Sequence, residues 1–199
     1  MKINHTSWKS VALAVTVSLL MSGVALAGTF SISGHVFYCS NPALPPVPGV
    51  MMTLTDAGGG TTTTTTDASG AYTFSGLTSS GSPYTVMPSM AALAPGSAGI
   101  NTADVMAIQR HFVCCTHPPC LPLACLTGCQ LTAADVNGIG GINTVDIIAI
   151  QRFFLRLSTG IANVGKYQFD PPVSPPISST TVQDFNALVF GDVASPFVH

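Results

Sequence analysis

The sequence predicts a multidomain β + α chain: a small antiparallel β-sandwich, then a duplicated loop–helix module with two helices, then an extended, strand-forming tail. Three observations carry this expectation. Short alternating apolar segments separated by Gly, Pro and Asp turns fill residues 28–90. A segment beginning at Gly99 returns at Gly141. Beyond Gly160 the chain turns Pro-rich before an apolar run, Phe185 to Val193.

Composition narrows the class. Of 199 residues 47% are hydrophobic and 7% charged, with eight Asp, no Glu and six Lys plus Arg. Six cations cannot build the basic face that nucleic-acid binding needs, so no nucleic-acid partner is expected. A long coiled coil lacks its flanking Glu and Lys, and the hydrophobicity opposes ordinary disorder. Residues 1–27 read as a signal peptide: Lys2 and Lys9 precede an apolar stretch from Val11 to Met21, and Ala25-Leu26-Ala27 is an A-x-A cleavage site. An uncleaved anchor is the rival reading; after cleavage no membrane span is expected. The remaining chain sets Arg110, Arg152, Arg156 and Lys166 against eight Asp, a formal charge of −4. A secreted, extracellular or cell-surface protein follows.

Six cysteines, Cys39, Cys114, Cys115, Cys120, Cys125 and Cys129, all follow the cleavage site. An even count in an exported chain favours disulfides, with pairings left open. Five of them crowd near His117, so a metal cluster and free or intermolecular thiols remain alternatives, although their irregular spacing lacks a C-x2-C knuckle.

Within 28–90, Phe30, Ile32, Val36 and Tyr38 alternate as on one face of a strand. Pro45 to Gly49 is a turn, Val50 to Thr55 a second strand, and Ala57 to Gly60 a break. Thr61 to Thr66 is strand or extended loop, with possible sites for O-linked glycans. Asp67-Ala68-Ser69-Gly70 is a turn in which Asp bonds its own backbone. Ala71 to Phe74 and Tyr84 to Val86 follow as strands. On Ile32-Ser33-Gly34-His35-Val36, Pro48-Gly49-Val50 and Thr66 to Phe74, the stretch resembles the carboxypeptidase-regulatory-like and collagen-adhesin B-type domains. That resemblance implies a prealbumin-like sandwich acting as spacer or adhesive module. The Lys–Asn crosslink of some members is unavailable, because no Lys occurs between 28 and 90.

Residues 91–160 hold the repeat. Gly99 to Val113 and Gly141 to Leu155 agree at ten of fifteen positions, 42 residues apart. Each copy opens Asn-Thr-x-Asp, a helix start with its acid in the first turn. Val105, Ile108 and Phe112, matched by Ile147, Ile150 and Phe154, then recur at helical spacing. Two such helices can bury their stripes against each other. Before the second helix, Asp135 to Asp146 carries oxygen side chains at places one, three, nine and twelve and Gly at six, the spacing of a calcium loop. Ile142, at place eight, is expected to anchor the loop to the core.

These residues are similar to a type I dockerin repeat. The resemblance implies Ca2+ as cofactor, held by Asp135, Asn137, the Gly141 carbonyl, Asn143 through water, and Asp146. Ile139 departs from the pattern at place five. In the first loop Leu93 and Pro95 stand where two ligands belong, leaving Ser97, the Gly99 carbonyl, Asn101 and Asp104. The resemblance also implies a protein partner, a cohesin-like module, met by Thr102, Ala103, Arg110, Thr144, Val145 and Arg152. The Gln-Arg pairs are either recognition surface or solvated helix face. The Cys-rich insertion 114–129 either staples the helices or adds a contact surface.

In the tail, 161–199, Asp170-Pro171-Pro172-Val173-Ser174-Pro175-Pro176 precedes the strand-capable run. That run either joins the sandwich or pairs in trans with a neighbouring molecule. No catalysis is expected: His35, His111, His117 and His199 sit in no nucleophile arrangement, and Glu is absent. The sequence therefore points to a non-catalytic calcium-binding assembly module. Its alternative is a structural subunit that assembles with copies of itself into an extracellular filament or matrix.

Overall fold

Alternation of apolar and polar residues builds the sandwich first. A computed structural model describes residues 28–115 and 125–194. Residues 1–27, where a signal peptide is expected, and His117, Cys120 and His199 lie outside the described residues. Strand β1 (Thr29–Tyr38) turns Ile32, Val36 and Tyr38 fully inward, with Phe30 partly buried, as the spacing predicts. It is followed by β2 (Met51–Thr55), β3 (Thr61–Thr65), β4 (Ala71–Thr78) and β5 (Thr85–Ser89). The threonine run is thus a strand. Asp67 closes the β3–β4 turn by accepting from the Ser69 and Ala71 amides at 2.8 and 3.0 Å.

The helical part comes next: α1 (Thr102–Arg110), continued by a π turn at His111–Cys115, then α2 (Cys129–Ala134) and α3 (Thr144–Phe154). The chain then returns to strand as β6 (Tyr167–Asp170), β7 (Thr181–Val182) and β8 (Phe185–Val189).

One sheet has the order β4-β1-β8-β6, with β7 also on β1, and the other β3-β2-β5. The first is mixed, which corrects the antiparallel expectation. β7 and β8 both run parallel to β1, with Val36 opposite Phe185 and Tyr38 opposite Ala187. Parallel neighbours need a long crossover. Here everything between β1 and β8, the helical module included, supplies it, and no local pattern in 28–90 could announce it.

The tail therefore packs in cis. Before entering the first sheet it runs along the outer edge of β5. Ser174 N–H donates to the Val86 carbonyl, and Tyr84 and Ile177 exchange two backbone bonds at 2.8 Å. The tail then passes so close to β1 that a Cβ on Gly34 would collide with the Gln183 carbonyl. Glycine is required there by space rather than by backbone angle.

The buried side chains of sandwich and helices form one cluster. Ile108 of α1 and Ile150 and Phe153 of α3 sit in it beside Phe185 and Val189 of β8. The Cys39–Cys129 disulfide, joining residues 90 apart, links the end of β1 to the start of α2. Cys115 pairs with Cys125, and Cys114 is also disulfide-bonded. No described cysteine is a free thiol. Disulfides so placed are compatible with an oxidising, extracellular setting. Among the described residues no helix is long and apolar enough to cross a membrane.

Candidate metal centre

Both helix starts form as the repeat predicts. Asn101 and Asn143 are N-caps whose side chains accept from the Ala103 and Val145 amides at 2.8 Å. Asp104 and Asp146 reach back to the amides of Asn101 and Asn143 at 2.9 Å, completing two matching capping boxes. Both acids are fully buried.

The second loop gathers the residues assigned to it. Asp135 is the C-cap of α2, and Gly138, Gly140 and Gly141 take φ of 68, 75 and 70°, folding the chain back toward Asp146. Ile142 is partly buried against the core, as an anchor should be. The Asp146 carboxylate spans the loop, one oxygen accepting from Asn143 N–H and the other from Asn137 N–H at 3.1 Å. Burial pushes its carboxyl above the usual range, the two backbone bonds pull it down, and the charge of Asp135 pushes it up again. Asp135 has one carboxylate oxygen buried and without a hydrogen-bond partner. The charge of Asp135 thus acts on the buried Asp146, and Asp135 itself keeps an orphaned oxygen.

The remaining donors are turned onto the loop itself. Asn137 Oδ1 accepts from Ile139 N–H at 2.7 Å, while Asn143 Nδ2 donates to the carbonyls of Gly141 at 2.9 Å and Ile139 at 3.2 Å. Beside the loop opens a cleft of about 650 Å³ walled by Asp135, Gly140, Gly141, Leu131, Gln168 and Phe190.

The first loop gathers much less. Ser97 turns its hydroxyl onto the Ala94 carbonyl at 2.6 Å. Asp104 accepts not only from Asn101 but from the amides of Val193 and Ala194 at 2.8 and 2.9 Å. Next to it Asp192, also fully buried, accepts the Tyr38 hydroxyl at 2.7 Å. Neither Asp192 nor Tyr38 was visible as a site from the sequence. The only hint is an acid in the largely apolar run 185–193.

His111, Cys115 and Cys125 lie close enough to suggest a second metal cluster. Both sulfurs are spent on each other, however, and His111 Nδ1 accepts from the Leu126 amide at 3.1 Å. Burial holds the His111 imidazole below its ordinary range, consistent with a neutral, accepting ring.

All six residues assigned to a partner surface, Thr102, Ala103, Arg110, Thr144, Val145 and Arg152, are exposed. Arg152 Nε donates to the Ser158 carbonyl. Around Val145 the surface is apolar, with Ile139, Ile148 and Ile161 at 66, 53 and 89% exposure. No protein-family model and no curated protein matches the chain.

Proposed function

We propose that this chain is a non-catalytic, secreted calcium-binding module that mediates extracellular or cell-surface protein assembly through a dockerin-type interaction. One observation carries the calcium reading. In the second loop the charge of Asp135 acts on the buried Asp146, and one buried Asp135 oxygen has no partner. Among the described residues, no Asp of this loop is paired with a basic side chain. Such an arrangement is costly without a cation and favourable with a hard, oxygen-seeking one. Asp135, Asn137, the Gly141 carbonyl, Asn143 and Asp146 would hold it. With Ile139 at the fifth place contributing no side-chain oxygen, the affinity belongs in the weaker extracellular range.

An ordered loop would fix the start of α3 and with it Thr144, Val145 and the exposed apolar residues around them. This is the surface offered to a protein partner, and its lack of charge suits a partner recognised by shape and apolar contact. Isothermal calorimetry of the chain without its first 27 residues tests the reading. The wild type should take up calcium, and Asp135→Ala should lose that binding while keeping the circular dichroism of the fold. Equal binding by both proteins would overturn the loop assignment.

A second reading is favoured by β3. It ends the three-stranded sheet, and its outer edge presents five threonines with no Pro and no charge. Edges of soluble proteins are normally guarded by Pro or charged residues. Strand pairing between copies at this edge would make the chain a structural subunit of a filament or matrix. The two readings separate on chelation: dockerin-type association is lost with the ion, and edge pairing is not.

A further inference from the structure

The two repeats open their helices alike but differ in what holds the capping-box acid. In the second, the free oxygen of the capping-box acid, Asp146, accepts from Asn137 N–H of its own loop. In the first, the equivalent oxygen of Asp104 accepts from Val193 and Ala194, residues 89 and 90 places further along the chain. The amides of the C-terminal segment thus stand where the loop's own amide stands in the sister repeat.

Three further features close the first loop. Leu93 and Pro95 bring no side-chain oxygen to the places where Asp135 and Asn137 stand in the sister loop. Leu93 is instead drawn to the core, its N–H bonded to the Gly165 carbonyl at 2.8 Å. The Ser97 hydroxyl is committed to Ala94. On the tail side, Gly191 N–H donates to the Ala133 carbonyl at 2.7 Å, and Gln130 Nε2 donates to the Val193 carbonyl at 2.9 Å. The segment is therefore held from α1 and from α2 at once.

A buried carboxylate needs positive partial charge around it. Three backbone amides, that of Asn101 at the start of α1 and those of Val193 and Ala194 in the C-terminal segment, supply that to Asp104 without any ion. We propose that in the first repeat the backbone amides of the chain's own C-terminal segment, Val193 and Ala194, take the place of the cation and fasten β8 to the start of α1, leaving calcium to the second repeat alone. The second clause rests on the calcium reading above. The fastening does not.

Amide hydrogen exchange at Val193 and Ala194, run beside calorimetry, tests both parts. In the wild type these two amides should be protected equally in calcium and in chelator, and calorimetry should count one ion per chain. Asp104→Ala should speed exchange at both amides at least tenfold while the count stays at one. Ala194→Pro, which removes one donor at an exposed position, should speed exchange at Val193 and also leave the count at one. Two ions in the wild type, or loss of the ion in Asp104→Ala with retention in Asp135→Ala, would overturn the proposal. So would exchange at Val193 that neither variant alters. If no ion binds to any of the proteins, the calcium reading fails, and the exchange rates still decide the fastening.

Discussion

Asp192 is an acid buried against another acid, and that has a pH signature. Burial is the largest effect on its carboxyl. The Tyr38 hydrogen bond opposes it and Asp104 adds to it, and together they push it up to about 8. The folded chain therefore holds a proton at Asp192 that the unfolded chain releases near the ordinary carboxylate range. Between those limits the folded state binds more protons, so stability falls as pH rises from about 4 to 8 and levels off above. Asp146, also raised, works in the same sense. Asp192→Asn substitutes a neutral amide for the neutral acid. Thermal melts of the two proteins in chelator, from pH 4 to 9, should show the wild-type midpoint declining across the window and the variant's declining less. An identical slope would mean that Asp192 is ionised in the folded chain.

Among the elements, the helices show where pattern reading works and where it stops. The starts of α1 and α3 were legible because Asn-Thr-x-Asp carries its own mechanism, a capping box complete within four residues. The buried faces were legible only in part. Phe154 reads as the partner of Phe112, yet it is 40% exposed, and Phe153 is buried to 2%. The reason lies in a distant contact: Phe153 packs over Gly165, where a Cβ would meet its ring at 2.7 Å. The repeat also diverges here, since α1 ends in a π turn and α3 does not. Phe153→Ala should therefore cost about 3–5 kcal/mol, and Phe154→Ala no more than about 0.5 kcal/mol. Urea unfolding of both variants checks this, and equal losses would return the stripe to its sequence-based phase. Helix α2 carries no sequence signature, being six residues long and starting at the last cysteine of the insertion, too short to show a period.

At the scale of the molecule, β1 to β5 and β8 were legible one by one, whereas β6, β7 and the pairing of the strands were not. Nothing within residues 28–90 says that β1 will accept a parallel neighbour from the far end of the chain, and Asp104 could not be known as an anchor without the tail that reaches it. β8 is an inner strand, with β1 on one side and β6 on the other, and it buries Phe185, Ala187 and Val189 almost completely. Its loss would expose the flank of β1, strip β6 of its partner and remove the bonds that Gly191 and Val193 make to α1 and α2. A chain ending at Pro176 should accordingly lose its cooperative unfolding transition, because the sandwich and the helical module share one core. Parallel pairing and side-chain pockets specify β8 independently of its covalent link. A peptide spanning Ile177 to Ala194, added in trans, should restore a cooperative melt. Titrating that peptide against the shortened chain by circular dichroism reads the outcome. A cooperative melt without the peptide would show that residues 28–90 and the helices fold without the strand between β1 and β6.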